Sequence, residues 1–138
     1  MNNNVLIDSD VILDHFLDRE PFSDHSTRVL ALCENKKVNG FVTGLAIANI
    51  YYLLQKRNSS KSLLRGIRDL LNVLNVLVVD KKVITNAIDS EFADFEDALQ
   101  NYSAENDGSI STIITRNIKV YKKSKLSILT PEQFLKTL

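Results

Sequence analysis

Several classes of protein are excluded by what this chain of 138 residues does not have. It has one cysteine, Cys33, so no internal disulfide can form. Cys33 sits in an apolar helical pattern with Val29, Leu30 and Leu32 and reads as a reduced core residue. Neither sign of charge is in excess, because 17 basic and 17 acidic residues cancel. Net charge therefore gives no argument for nucleic acid, and only a local patch could. No apolar run approaches membrane-spanning length. The opening Met1-Asn2-Asn3-Asn4 carries no basic stretch followed by an apolar one, so no secretion leader is read and a cytoplasmic location is expected. His15 and His25 have no partner at metal-ligand spacing. Ser9 lacks the flanking glycines of a nucleophile elbow, and no Ser–His–Asp set is suggested. There is no internal repeat and no low-complexity segment. What remains is an ordinary globular mix, 44% hydrophobic and 25% charged, expected to form a single domain over residues 1–138.

The organising stretch is Val5-Leu6-Ile7-Asp8-Ser9-Asp10-Val11-Ile12-Leu13-Asp14. An apolar run stops at Asp8, and a helical spacing follows, with Val11, Ile12, Phe16 and Leu17 on one face. Asp8 thus reads as the carboxyl end of a buried strand, where open α/β sheets bind ligands. The plainer reading is that Asp8 or Ser9 only caps the helix. Further strands are predicted at 40–43, 74–79, 111–115 and 126–129. Helices are predicted at 10–18, 23–37, 45–56, 61–71, 81–90 and 95–106. A final helix opens at Thr130-Pro131, a cap followed by proline at the first helical position. Short β-rich strands alternating with helices imply an α/β fold of three layers, a central parallel sheet of four to five strands flanked by helices.

Polar clusters punctuate two strand ends, Asp8-Ser9-Asp10 and Thr115-Arg116-Asn117. A third, Asp94-Phe95-Glu96-Asp97, opens a helix. If the first and fourth strands are neighbours, the three clusters meet at one edge. Asp94 and Asp97 share a helix face near its N-terminus. Converging carboxylates with neutral oxygen partners are what a hard cation needs, and Mg²⁺ takes only one or two carboxylates and keeps several waters. The plainer reading of Asp94 and Asp97 is an acid-rich, capped first turn that favours the helix dipole.

Together these three motifs, in this order and with the closing Leu-Thr-Pro-Glu-Gln-Phe-Leu stretch (129–135), resemble a PIN domain of the kind found in VapC-type toxin ribonucleases. The resemblance implies a metal-dependent endoribonuclease using Mg²⁺ or Mn²⁺, restrained by an antitoxin protein. Carried over residue by residue, it makes Asp8 and Asp97 the catalytic and metal-binding acids, with Asn117 as a further ligand after the fourth strand. Thr115 matches the hydroxyl residue at that strand's end, and Asp94 an accessory acid. Asp10 and Asn49 are accessory positions. Asn49 stands where the family has a glutamate on the helix after the second strand, so weaker ion binding and weaker activity are expected. Val120 and Ser111 stand where aspartates are frequent.

Basic residues supply the other half of a nuclease reading. Arg116, Lys119, Lys122, Lys123 and Lys125 cluster just after the fourth strand, beside the acids. The first four are taken as an RNA-binding rim for a single strand or structured loop. Lys61, Arg65 and Arg68 share a helix face that reads first as solvated surface. The apolar helices bearing Tyr51-Tyr52 and Leu63-Leu64 suggest a homodimer. Two other functions are kept in view. One is a PIN-like domain that has lost activity and only binds RNA or protein. The other is a haloacid-dehalogenase-like phosphatase, with Asp8 as nucleophile and Asp10 as general acid.

Overall fold

Five apolar stretches become parallel strands in the structure, a computed structural model that describes residues 3–138. The leaderless start read from Met1 and Asn2 lies outside the described residues. The strands are β1 (Asn4–Ile7), β2 (Asn39–Thr43), β3 (Asn75–Leu77), β4 (Thr112–Ile114) and β5 (Ser127–Leu129), in the spatial order β3-β2-β1-β4-β5. Around them run α1 (Ser9–Phe16), α2 (Ser23–Glu34), α3 (Gly44–Leu54), α4 (Ser60–Val73), α5 (Lys81–Ile88), α6 (Phe95–Asp107) and α7 (Pro131–Leu135). A 3-10 turn covers Ile118–Tyr121. Among the described residues no helix is long and apolar enough to cross a membrane.

β1 is central, and its period-2 alternation feeds both sides of the sheet. Val5 and Ile7 pack with Val11, Ile12, Val29 and Ile50 in one core cluster. Leu6 packs with Leu77, Ala104, Ile113 and Tyr121 in the other. A strand covered on both faces reads as a continuous apolar run, which is what Val5-Leu6-Ile7 is. Each such fully buried aliphatic side chain stabilises the fold by about 1.5–3 kcal/mol over an exposed one. Burial pushes the Cys33 thiol up to about 11, so it stays reduced and inert among its apolar neighbours. Gly40 packs so closely that a Cβ would lie 2.5 Å from Leu74 Cδ2 and 2.6 Å from Cys33 Sγ.

Some boundaries differ from the sequence reading. The strand read at 74–79 holds only 75–77, because Leu74 closes α4 with its N–H on Leu70 O at 2.9 Å. β3 is an edge strand, and after Leu77 the chain leaves the sheet, with Val78 71% exposed. The helix read to residue 37 ends at Glu34, since Lys36 turns into the left-handed region at φ 60.

The topology decides where a ligand can enter. β2 and β3 lie on one side of β1, β4 and β5 on the other, so the chain reverses its winding at β1. The crevice beyond the carboxyl ends of β1 and β4 is the switch point of the sheet. The register Ile7↔Ile114 places Asp8 beside Thr115 there, with the Asp8 N–H on Ile114 O at 2.9 Å.

Candidate active site at the strand ends

Asp8 is the N-cap of α1, and its Oδ1 accepts the Ser9 N–H at 2.7 Å. The capping reading is therefore correct, but it describes only part of the residue. Oδ1 also accepts Gln100 Nε2 at 2.8 Å. Oδ2 accepts the Thr115 hydroxyl and the Tyr121 hydroxyl, each at 3.0 Å. Four donors thus surround its two oxygens. Asp8 is buried, and a buried carboxylate persists only when hydrogen-bonded in this way.

The donors come from every element around the crevice. Thr43, at the end of β2, caps α3 by accepting the Ala46 N–H and donates to Gln100 Oε1 at 3.0 Å. That bond frees both hydrogens of Gln100 Nε2, one for Asp8 and one for the Tyr121 oxygen at 3.3 Å. Burial and the nearby Asp8 push the Tyr121 hydroxyl far up, so it stays protonated and remains a donor. Gln100, Tyr121 and Thr43 were not among the sequence candidates. Gln100 carries a signal that was available, being one helical turn beyond Asp97 on α6. Tyr121 carries none, because an aromatic at that place reads as core.

The acids of α6 face the same crevice from the other side. Asp94 is exposed and caps the helix, accepting the Asp97 N–H at 3.0 Å. Asp97 is half-buried, and its carboxyl is pushed up to about 7, first by burial and then by Asp94, Asp8, Glu96 and Asp10. Asp97, Asn117, Lys119, Lys122 and Lys123 line one groove of about 490 Å³, together with Asp94. Lys123 also pairs with Glu91 at 3.3 Å. Glu96, absent from the sequence candidates, is raised by burial, Asp94 and Asp8, and its carboxylate accepts Asn49 Nδ2.

Asp10 turns toward the loop after β4. Its carboxylate accepts the Arg116 N–H at 3.2 Å, and the Thr115 hydroxyl lies 3.4 Å away. Its pKa is raised to about 6, by burial first and then by Asp8. The Thr115 oxygen also accepts the Asn117 N–H at 3.2 Å. Arg116 leaves the lysine groove: its Nε pairs with buried Asp14 at 3.4 Å, and its guanidinium stacks over Phe22, 4.4 Å from the ring centre. Those groups line a separate cavity of about 390 Å³. The phosphatase alternative finds no support in this geometry, since a buried carboxylate with four donors is no free nucleophile and Asp10 is engaged by the β4 loop.

A three-layer α/β fold with acids gathered at the switch point of a parallel sheet defines the class. The chain belongs to the PIN domain family, whose model, described as PIN domain, matches residues 4–119. Ribonuclease VapC1 of Aquifex aeolicus (strain VF5) is 28% identical to it, with 96% of this chain and 94% of that protein covered. A toxin-antitoxin complex from Klebsiella pneumoniae superposes with a TM-score of 0.70 at 17% identity, covering 92% of this chain and 97% of that one. VapBC2 from Rickettsia felis, bound to a DNA fragment from their promoter, gives 0.66 at 14% identity over 91% of this chain and 96% of that one. At these identities the two structures speak for the fold.

Proposed function

We propose that this protein is a divalent-metal-dependent endoribonuclease of the toxin kind, restrained in the cytoplasm by an antitoxin protein. The observation that carries this reading is the groove in which Asp97 and Asn117 stand with Lys119, Lys122 and Lys123, beside the buried Asp8. The similarity to Ribonuclease VapC1 and to a toxin-antitoxin complex supports it.

The donor set suits Mg²⁺ or Mn²⁺. It is all oxygen, and the mutual repulsion that raises Asp97 is relieved by a cation. Among the described residues no three His, Cys, Asp or Glu side chains are already arranged to hold a metal ion. Mg²⁺ takes one or two carboxylates and keeps several waters, so a preformed cage is not required. Asp97 and Asp8 would hold it, with Asn117 adding a neutral oxygen. Bound there, the ion supplies positive charge at a phosphodiester and lowers the pKa of water. The remaining work falls to the chain's own groups. Lys119 and Lys122 hold phosphates, and the four donors keep Asp8 in place. Asn49 brings no charge where the family pattern has glutamate, which weakens ion affinity.

The test is incubation of purified protein with single-stranded and hairpin RNA, with and without Mn²⁺. Cleavage is expected with the ion and lost with a chelator or with Asp97→Asn. RNA that is bound yet stays intact at every Mn²⁺ concentration would overturn the enzyme reading. It would favour the RNA-binding alternative, to which the uncharged Asn49 also points. Tyr52 and Leu53 on α3, with Leu64 and Leu71 on α4, leave large apolar side chains exposed, and we propose that they pair two copies of the chain. A single species of 15.6 kDa at high concentration in sedimentation would refute that pairing.

A further inference from the structure

We propose that Glu96 is a further carboxylate of this site, held there by the amide of Asn49. The inference rests on the metal-dependent reading above. Glu96 lies in the first turn of α6, between Asp94 and Asp97, and is exposed. An exposed glutamate beside like charges gains by swinging into water, because fixing its side chain costs about 1.5–2 kcal/mol of rotamer entropy. This one is fixed. Asn49 Nδ2 donates to Glu96 Oε1 from a half-buried position on α3, across 47 residues of sequence. The bond ties to α3 a carboxylate on the turn of α6 that also carries Asp97. Among the described residues Glu96 Oε2 has no hydrogen-bond partner, so one oxygen remains for a ligand.

The chemistry of an amide makes this arrangement specific. The nitrogen of Asn49 can only donate, so the partner it holds must be an acceptor. A carboxylate at residue 49 would instead repel Glu96. Asn49 is thus a positioning residue, and the charge that α3 does not carry is supplied across the crevice by α6. The sequence reading made Asn49 an accessory position without charge; in the structure the nitrogen of its amide serves Glu96.

The experiment measures Mn²⁺ binding directly, by electron paramagnetic resonance titration of the free ion, so that it does not depend on turnover. Glu96→Gln should weaken Mn²⁺ binding about ten-fold, within the range seen when charge or support is removed around metal sites. Asn49→Ala should weaken it several-fold in the natural protein and have no further effect in the Glu96→Gln background, as expected for two residues acting through one bond. Thermal melts without metal check that each variant folds. If Asp97→Asn abolishes Mn²⁺ binding while Glu96→Gln keeps natural affinity, Glu96 has no such role and the metal-dependent reading stands. If Asp97→Asn also binds Mn²⁺ normally, the ion lies elsewhere and both proposals fall.

Discussion

Acids on the two sides of the crevice are treated in opposite ways. Asp8, at the end of β1, is buried and takes hydrogen bonds from Ser9, Gln100, Thr115 and Tyr121. Asp97, on α6, is half-buried and among the described residues its carboxylate accepts none. Its neighbours are other acids, and its pKa rises to about 7 with burial and their charge. Hydrogen bonds have satisfied one carboxylate and fixed it in place, while its charge still acts on Asp97. The other is left to repel its neighbours, which raises its affinity for a proton and for a cation alike. A site that must be both rigid and responsive can divide those demands between two residues.

Asp97→Asn should have the largest effect on function. Under the proposed mechanism it removes the responsive half, and cleavage should fall by about 100-fold or more, since even outer-shell partners of metal sites are worth about 10- to 100-fold. Fold stability without metal should rise or stay level, because a repelled charge has gone. Single-turnover cleavage and urea melts on the same variant check both statements.

Tyr121→Phe attacks the rigid half. A hydrogen bond to a charged group is worth about 1.5–3 kcal/mol, and Asp8 Oδ2 would keep only Thr115. Urea unfolding should show a loss of that order. An unchanged midpoint would mean that water replaces the hydroxyl and that the network is not what holds Asp8.

The pH dependence of stability separates the halves further. In the unfolded chain Asp97 titrates near 3.8, and in the fold near 7, so between these values the folded state holds the extra proton. Stability should therefore fall as pH rises from about 4 to about 7 in chelated buffer, and level off above. Asp10, raised to about 6, adds a loss of the same sign over the lower part of that window. Urea midpoints across the window should flatten in Asp97→Asn, and Mn²⁺ should stabilise more at pH 7.5 than at pH 5. A midpoint that climbs through this range would contradict the raised Asp97.

The smallest effect is expected at the rim. Lys119→Ala and Lys122→Ala should weaken single-stranded RNA binding modestly, each lowering the salt slope by about 0.7 if one phosphate contact is lost. Arg116→Ala should change that slope less, because its guanidinium already serves Asp14 and Phe22. Equal slopes for all three variants would show that Arg116 turns outward when RNA arrives.

Much of this was legible from local chemistry. Apolar runs and helical spacing marked the strands and helices, because burial on two faces or one stripe leaves a periodic trace. Asp8 and Asp94 were legible as caps for the same reason: the unsatisfied N–H groups of a helix start demand an acceptor within a few residues. Gln100, Tyr121 and Glu96 were not, since what they touch lies on other elements. The same limit explains Arg116, grouped with Lys119 by sequence distance and parted from it by the direction of its side chain.

The order and type of elements, and the acids at their ends, were determined by the sequence alone, because both follow from interactions between residues a few places apart. Which acid is held by hydrogen bonds and which is repelled was decided only by the tertiary structure. The reversal of strand order at β1 brings Asp8 against Thr115 and α6 over the same crevice. The hydrogen bonds and repulsions that then set each carboxylate's character act through space, between groups as far apart in sequence as Asp8 and Tyr121.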